Sequence, residues 1–154
     1  MESNNMAKGV STERLPRKFI ANISAGASAA TTYYFKPSFP CQLIGAVLRT
    51  VTNSGAAEGI AVTKMTCTDP DLQRDVIQIS TNVTVTDVDS SAIMAATTIA
   101  SGTSNTTTVH FVPGANNVAE RDLDPSNNEG LKIVIDQASS TAITGYLELE
   151  FLPL

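Results

Sequence analysis

One histidine, two cysteines and three groups of carboxylates are the residues in this chain with the means to do chemistry. His110 lies in Thr106-Thr-Thr-Val-His-Phe-Val112, a strand-like stretch in which Val109 and Phe111 take the inward parity and the imidazole the outward one. A triad needs that ring beside a nucleophile and a carboxylate. The chain has no Gly-x-Ser-x-Gly elbow to raise a serine, so a surface or interface imidazole is the plainer reading. Zinc wants several Cys or His ligands, and Cys41, Cys67 and His110 are too widely spaced to make a good set.

The carboxylates suit a hard cation better. They group as Asp69/Asp71, Asp87/Asp89 and Asp122/Asp124/Glu129. Calcium takes several oxygens from one loop, and Asp122-Leu-Asp-Pro-Ser-Asn-Asn-Glu129 carries them, but the EF-hand spacing and its central glycine are missing. Asp and Asn also favour turns because their side chains hydrogen-bond the local backbone. The turn reading is preferred; no metal, cofactor or catalytic residue is assigned, and the chain is expected not to be an enzyme.

Charge is unevenly placed. Residues 1–18 hold Lys8, Arg14, Arg17 and Lys18 against Glu2 and Glu13, a balance of +2, which leaves −7 on the rest of a chain whose net charge is −5. The acidic total argues against nucleic acid as partner. The basic stretch is read as an extended, flexible arm, residues 1–18, closed by Pro16 and followed by one domain, 19–154. Arg14, Arg17 and Lys18 are the candidate partner-binding residues, docking onto an acidic surface and ordering on contact; a solvated tail is the bland alternative.

The elements that must position these residues alternate with period two. In the last part of the chain Leu131, Ile133 and Ile135 share one face, and Ile143, Leu147, Leu149 and Phe151 share another, with Lys132, Thr144, Tyr146, Glu148 and Glu150 on the opposite parity. The polar turn 137–141 between them predicts an antiparallel hairpin. Further strands are expected near 31–36, 41–51, 60–67, 75–86, 92–100 and 106–112, with a weaker one at 19–23. Ile77, Ile79, Val83 and Val85 would point inward along the longest alternation, while 41–51 is apolar on both faces, as in a central strand. Residues 113–129 read as a long polar loop.

Charged residues make up 16% of the 154 and Trp is absent, while Thr, Ser, Val, Ile and Ala dominate; β-branched side chains suit a pleated surface. A chain of this length can bury a core without staples. No basic-then-apolar leader is visible at the start and no apolar run reaches the roughly 18 residues of a membrane helix. The expectation is a soluble protein made in a cytoplasm with both thiols reduced. The N-x-Ser/Thr matches at Asn22, Asn82 and Asn105 are discounted as chance in a Thr-rich chain. The fold class expected is all-β: an eight-stranded antiparallel β-sandwich of jelly-roll type. An immunoglobulin-type sandwich lacks its buried Trp here.

The stretch Thr31-Thr-Tyr-Tyr-Phe-Lys-Pro-Ser-Phe-Pro-Cys-Gln-Leu-Ile-Gly-Ala-Val-Leu48, with an aromatic strand, a Pro-x-Phe corner and a Gly-Ala strand, resembles the small β-sandwich decoration (cement) proteins of tailed bacteriophage heads, as does the closing Gly145-Tyr-Leu-Glu-Leu149. The resemblance covers roughly residues 29–151 as a pattern of strands. It implies a structural protein on the capsid exterior of the virion, a homotrimer that binds the major capsid protein and clamps neighbouring subunits. It assigns no functional residues. Outer faces rich in Thr and Ser agree with burial against other chains. The alternative is a receptor- or glycan-binding module of a phage tail or fibre, for which Tyr33, Tyr34 and Tyr146 are few platforms.

Overall fold

A computed structural model describes residues 14–25, 30–52, 58–80, 82–88, 94–99, 107–111, 121–137 and 143–154. Among them run ten strands: β1 Arg17–Ala25, β2 Thr31–Phe35, β3 Cys41–Thr52, β4 Glu58–Thr66, β5 Thr86–Asp87, β6 Met94–Ile99, β7 Thr107–Phe111, β8 Asp122–Leu123, β9 Glu129–Gln137 and β10 Ile143–Pro153. A short 3-10 turn, Pro125–Asn127, links β8 to β9. All strand pairings are antiparallel and fall into two sheets. The first runs β1-β10-β3-β7 with β8 also on β3; the second runs β2-β9-β4-β5 with β6 also on β4. The protein is therefore all-β and built of two facing sheets.

Alternation supplies the two inner faces. Ile23, Leu43, Leu48, Leu147, Leu149 and Phe151 from the first sheet meet Tyr33, Phe35, Val62, Leu131, Ile133 and Ile135 from the second in one buried cluster. Each such side chain contributes about 1.5–3 kcal/mol by leaving water. β3 is central, as expected, but its two-sided apolar pattern has a further cause. Leu43 opposes Phe151 and Gly45 opposes Glu150, so Ile44 is an extra residue in the ladder. This β-bulge shifts the parity, which puts Leu43 and Leu48 on the same inner face.

A second, smaller cluster forms on the outside of the second sheet. The chain after β4 folds back over it, and Leu72 packs with Met65 and Cys67 against Tyr34, Val83 and Val85. Beneath it Lys36, buried, donates its ammonium to Cys67 O at 2.5 Å. Gly130 of β9 permits the close strand approach here, since a Cβ at that position would clash with Phe35 O.

Four expectations need correction. Strands β9 and β10 are not a hairpin: β9 pairs with β2 and β4, β10 with β1 and β3, and the chain passes from one sheet to the other between them. A hairpin and an inter-sheet crossing demand the same alternation, because each strand needs only one dry face. The stretch 75–86 is not a strand either, apart from Thr86–Asp87. Asp75 takes a left-handed φ of 60°, and its carboxylate accepts from Ser38 N at 2.9 Å and Ser38 Oγ at 2.5 Å. That turn bends the chain along β2 and over the second sheet; Ile77 still reaches the core, but Ile79 is 52% exposed.

The first strand starts at Arg17, so Arg17 and Lys18 belong to the sheet and not to an arm; residues 1–13 of that arm lie outside the described residues. Finally, the polar stretch 113–129 contains β8 and the 3-10 turn, with 112–120 outside the described residues. The described residues hold ten strands, of which β5 and β8 are two residues long.

Candidate functional site

Among the described residues, nothing folds over the outer face of the first sheet. In β1 the alternation Phe19, Ala21, Ile23 turns inward, and Lys18, Ile20, Asn22 and Ser24 turn out and are exposed. The ladders place Ile20 beside Glu148 and Glu148 beside Val47, while Asn22 lies beside Tyr146 and Tyr146 beside Arg49. Ile20 is 64% exposed and Tyr146 48%. With Val47, Arg49 and Glu148 they line a shallow hollow of about 280 Å³. Lys18 Nζ stands 3.3 Å from Glu148 Oε1 at its margin. The face thus mixes large apolar side chains with both signs of charge. On the opposite sheet, among the described residues, the chain after β4 covers the part of the outer face around Tyr34, Met65 and Cys67 with Leu72, Val83 and Val85.

Of the three basic residues read as a docking set, two share a hollow and Lys18 stands apart. Arg14 and Arg17 line a hollow of about 390 Å³ with Leu15, Pro16 and Pro153. The Arg17 guanidinium sits 4.3 Å from the centre of the Phe39 ring, a cation–π contact within the fold. Lys18, on the other parity, faces Glu148. Lys8 lies outside the described residues.

The carboxylate candidates among the described residues hold local partners. The backbone of His110 lies opposite Val47 in the β3–β7 ladder. Asp69 Oδ1 accepts from Asp71 N at 2.9 Å, a turn contact. Asp87 receives Lys132 Nζ at 2.7 and 2.6 Å, and Asp89 lies outside the described residues. Asp122 Oδ1 accepts from Gln42 Nε2 at 2.8 Å. Asp124 caps the 3-10 turn, accepting from Ser126 N at 2.9 Å and Ser126 Oγ at 2.7 Å. These two bonds, the hydroxyl's first, hold the Asp124 carboxyl below its ordinary range. Glu129 Oε2 accepts from Asp124 N at 2.7 Å and pairs with Lys64 Nζ at 3.1 Å. Lys64 also donates to Asp122 O at 2.9 Å, tying the second sheet to β8 of the first. No group of three metal-capable side chains converges among the described residues.

Both cysteines are buried and free. Burial, helped by Asp75 and Asp122, pushes the Cys41 thiol up to about 12. Of the tyrosines, Tyr33 is buried, Tyr34 packs in the smaller cluster and Tyr146 alone is among the exposed large side chains. The outward parity of Tyr146 was legible in the alternation. Ile20 was missed, although an isoleucine in phase with Lys18, Asn22 and Ser24 is the signal that marks it.

No protein-family model matches this chain, and no curated protein matches it.

Proposed function

We propose that this is a structural phage protein without enzymatic activity: a jelly-roll decoration protein that binds the outer surface of the head and stabilises contacts between major capsid protein subunits. The observation that carries the reading is the asymmetry of the two outer faces. Among the described residues, one is partly covered by the chain's own excursion, and the other offers Ile20, Val47 and Tyr146 among Lys18, Arg49 and Glu148. A small domain with an uncovered face that is apolar and charge-mixed among the described residues is suited to lie flat on a larger assembly, where many neighbouring copies add avidity.

The strand order supports the jelly-roll class. If β5 with β6, and β7 with β8, are taken as broken single strands, each sheet has four positions. The first position then pairs with the eighth, the second with the seventh, the third with the sixth and the fourth with the fifth. That nesting is a long hairpin wound into two layers.

The test is co-sedimentation of the purified chain with expanded, undecorated phage heads. Saturable binding at a fixed ratio to the major capsid protein, with heads that survive more heat, is the expected result. Absence of binding overturns the reading and turns attention to a tail or fibre module, to be tried against glycans.

A further inference from the structure

Strand β1 is the outermost of the first sheet. β10 pairs with it along all of Arg17–Ala25, and among the described residues no strand pairs with its other edge. Ser24 reveals which backbone groups face that edge. The Tyr33 hydroxyl, reaching across from β2, accepts from Ser24 N at 2.7 Å and donates to Ser24 O at 3.1 Å. Those two groups are therefore not spent on β10. By the alternation of an antiparallel ladder, the N–H and C=O of Lys18, Ile20 and Asn22 point the same way. The corresponding edge of the second sheet is closed by the chain itself: Tyr34 exchanges both its bonds with Gln78, at 2.7 and 3.0 Å, and Asp75 N–H reaches Lys36 O at 2.7 Å. On one side of the sandwich, then, one edge is capped and its neighbour is, among the described residues, an open template carrying an exposed Ile20.

We infer that the open edge of β1 pairs with β1 of a second copy of this chain, antiparallel, about a two-fold axis through Ile20. In this register Ile20 faces the partner's Ile20, Lys18 faces the partner's Asn22 and Pro16 faces the partner's Ser24. The ends of the ladder then match what the chain provides. Pro16 has no N–H to place, and the Ser24 groups are already held by Tyr33. Each neighbouring register wastes a group. One sets Asn22 against Pro16, which cannot donate; the other sets Lys18 against the occupied Ser24. A further slip brings Lys18 against Lys18, a like-charge pair that costs stability. The register through Ile20 keeps like charges apart, satisfies three residues on each side and joins the two first sheets into one. It is a two-fold assembly, distinct from the trimer that the resemblance implies, and it stands whether or not the chain binds a capsid.

Light scattering and amide hydrogen exchange on the full chain test it. The expected result is a dimer that dissociates on dilution. Protection at the amides of Lys18, Ile20 and Asn22 should appear only at dimer concentrations, while Phe19, Ala21 and Ile23 stay protected throughout. Asn22→Pro removes an outward N–H of an edge strand and no bond of the fold itself, so it should give a folded monomer. Should Asn22→Pro fail to fold, Ile20→Lys, which sets two cations on the axis, gives the same reading. A monomer up to millimolar concentration, a trimer, or a dimer whose Lys18, Ile20 and Asn22 amides exchange as fast as in the monomer overturns the inference.

Discussion

Phe35 of β2 and Phe151 of β10 stack with ring centres 4.9 Å apart and planes 16° apart, although they belong to opposite sheets. Phe19 of β1 leans on both, at 4.8 and 5.9 Å, and touches Phe39 at 6.4 Å, over which Arg17 lies. The two sheets are thus clamped at the end where β1, the Pro37-Ser-Phe-Pro40 corner and the close of β10 meet.

Phe35→Ala should destabilise the fold by about 3–5 kcal/mol, because the ring is fully buried and its loss leaves a cavity. A double-mutant cycle with Phe151→Ala, read by chemical denaturation, should return a coupling of about 0.5–1.5 kcal/mol for the stacked pair. Additive costs would show that the rings act only through their separate burial.

The two lysine–carboxylate pairs should differ sharply. Lys64 is buried and its partner Glu129 nearly so, so Glu129→Gln should cost about 3 kcal/mol by removing the countercharge of a buried cation, which keeps its bond to Asp122 O. Lys132 and Asp87 are partly open to water, and Asp87→Asn should cost under about 1 kcal/mol. Equal losses in urea titrations would contradict the burial argument.

Cys41 should resist thiol reagents in the folded protein, since its thiol holds its proton up to about 12 against an ordinary 9.0. The sign for stability follows from proton counting. Between about 9 and about 12 the unfolded chain releases this proton and the folded chain keeps it, so stability falls as pH rises through that window. Below pH 9 the group is neutral in both states and contributes no slope. Cys41→Ala should flatten the alkaline part of the stability curve while lowering the whole of it.

Tyr146→Ala should leave denaturation within about 0.5 kcal/mol of the native chain, because the ring lies half in solvent on the outer face of the first sheet. If that face is the one that meets a capsid, the same change should weaken co-sedimentation with heads. Unchanged occupancy would move the contact elsewhere on the molecule.

Period-two patterning alone determined that Leu131, Ile133 and Ile135, and later Leu147, Leu149 and Phe151, line a dry core, and all six are fully buried. It also determined the all-β class and the outward side of Tyr146. Those properties are local, set by side-chain polarity against a strand's pleat. Tertiary structure decided the rest. The alternation of Asp75–Val85 is as regular as that of β9, yet Asp75 bonds to Ser38 and the segment becomes a cover for the second sheet. β9 and β10 are sequence neighbours that join opposite sheets, and the bulge at Ile44 appears only once β10 is alongside. Arg17, read as part of a docking arm, finds Phe39 within its own fold. Alternation states that a strand has one dry side. Which strand it pairs with, and which outer face the chain folds over, depend on contacts far apart in the chain, where backbone hydrogen bonds and buried area are shared among all the strands at once.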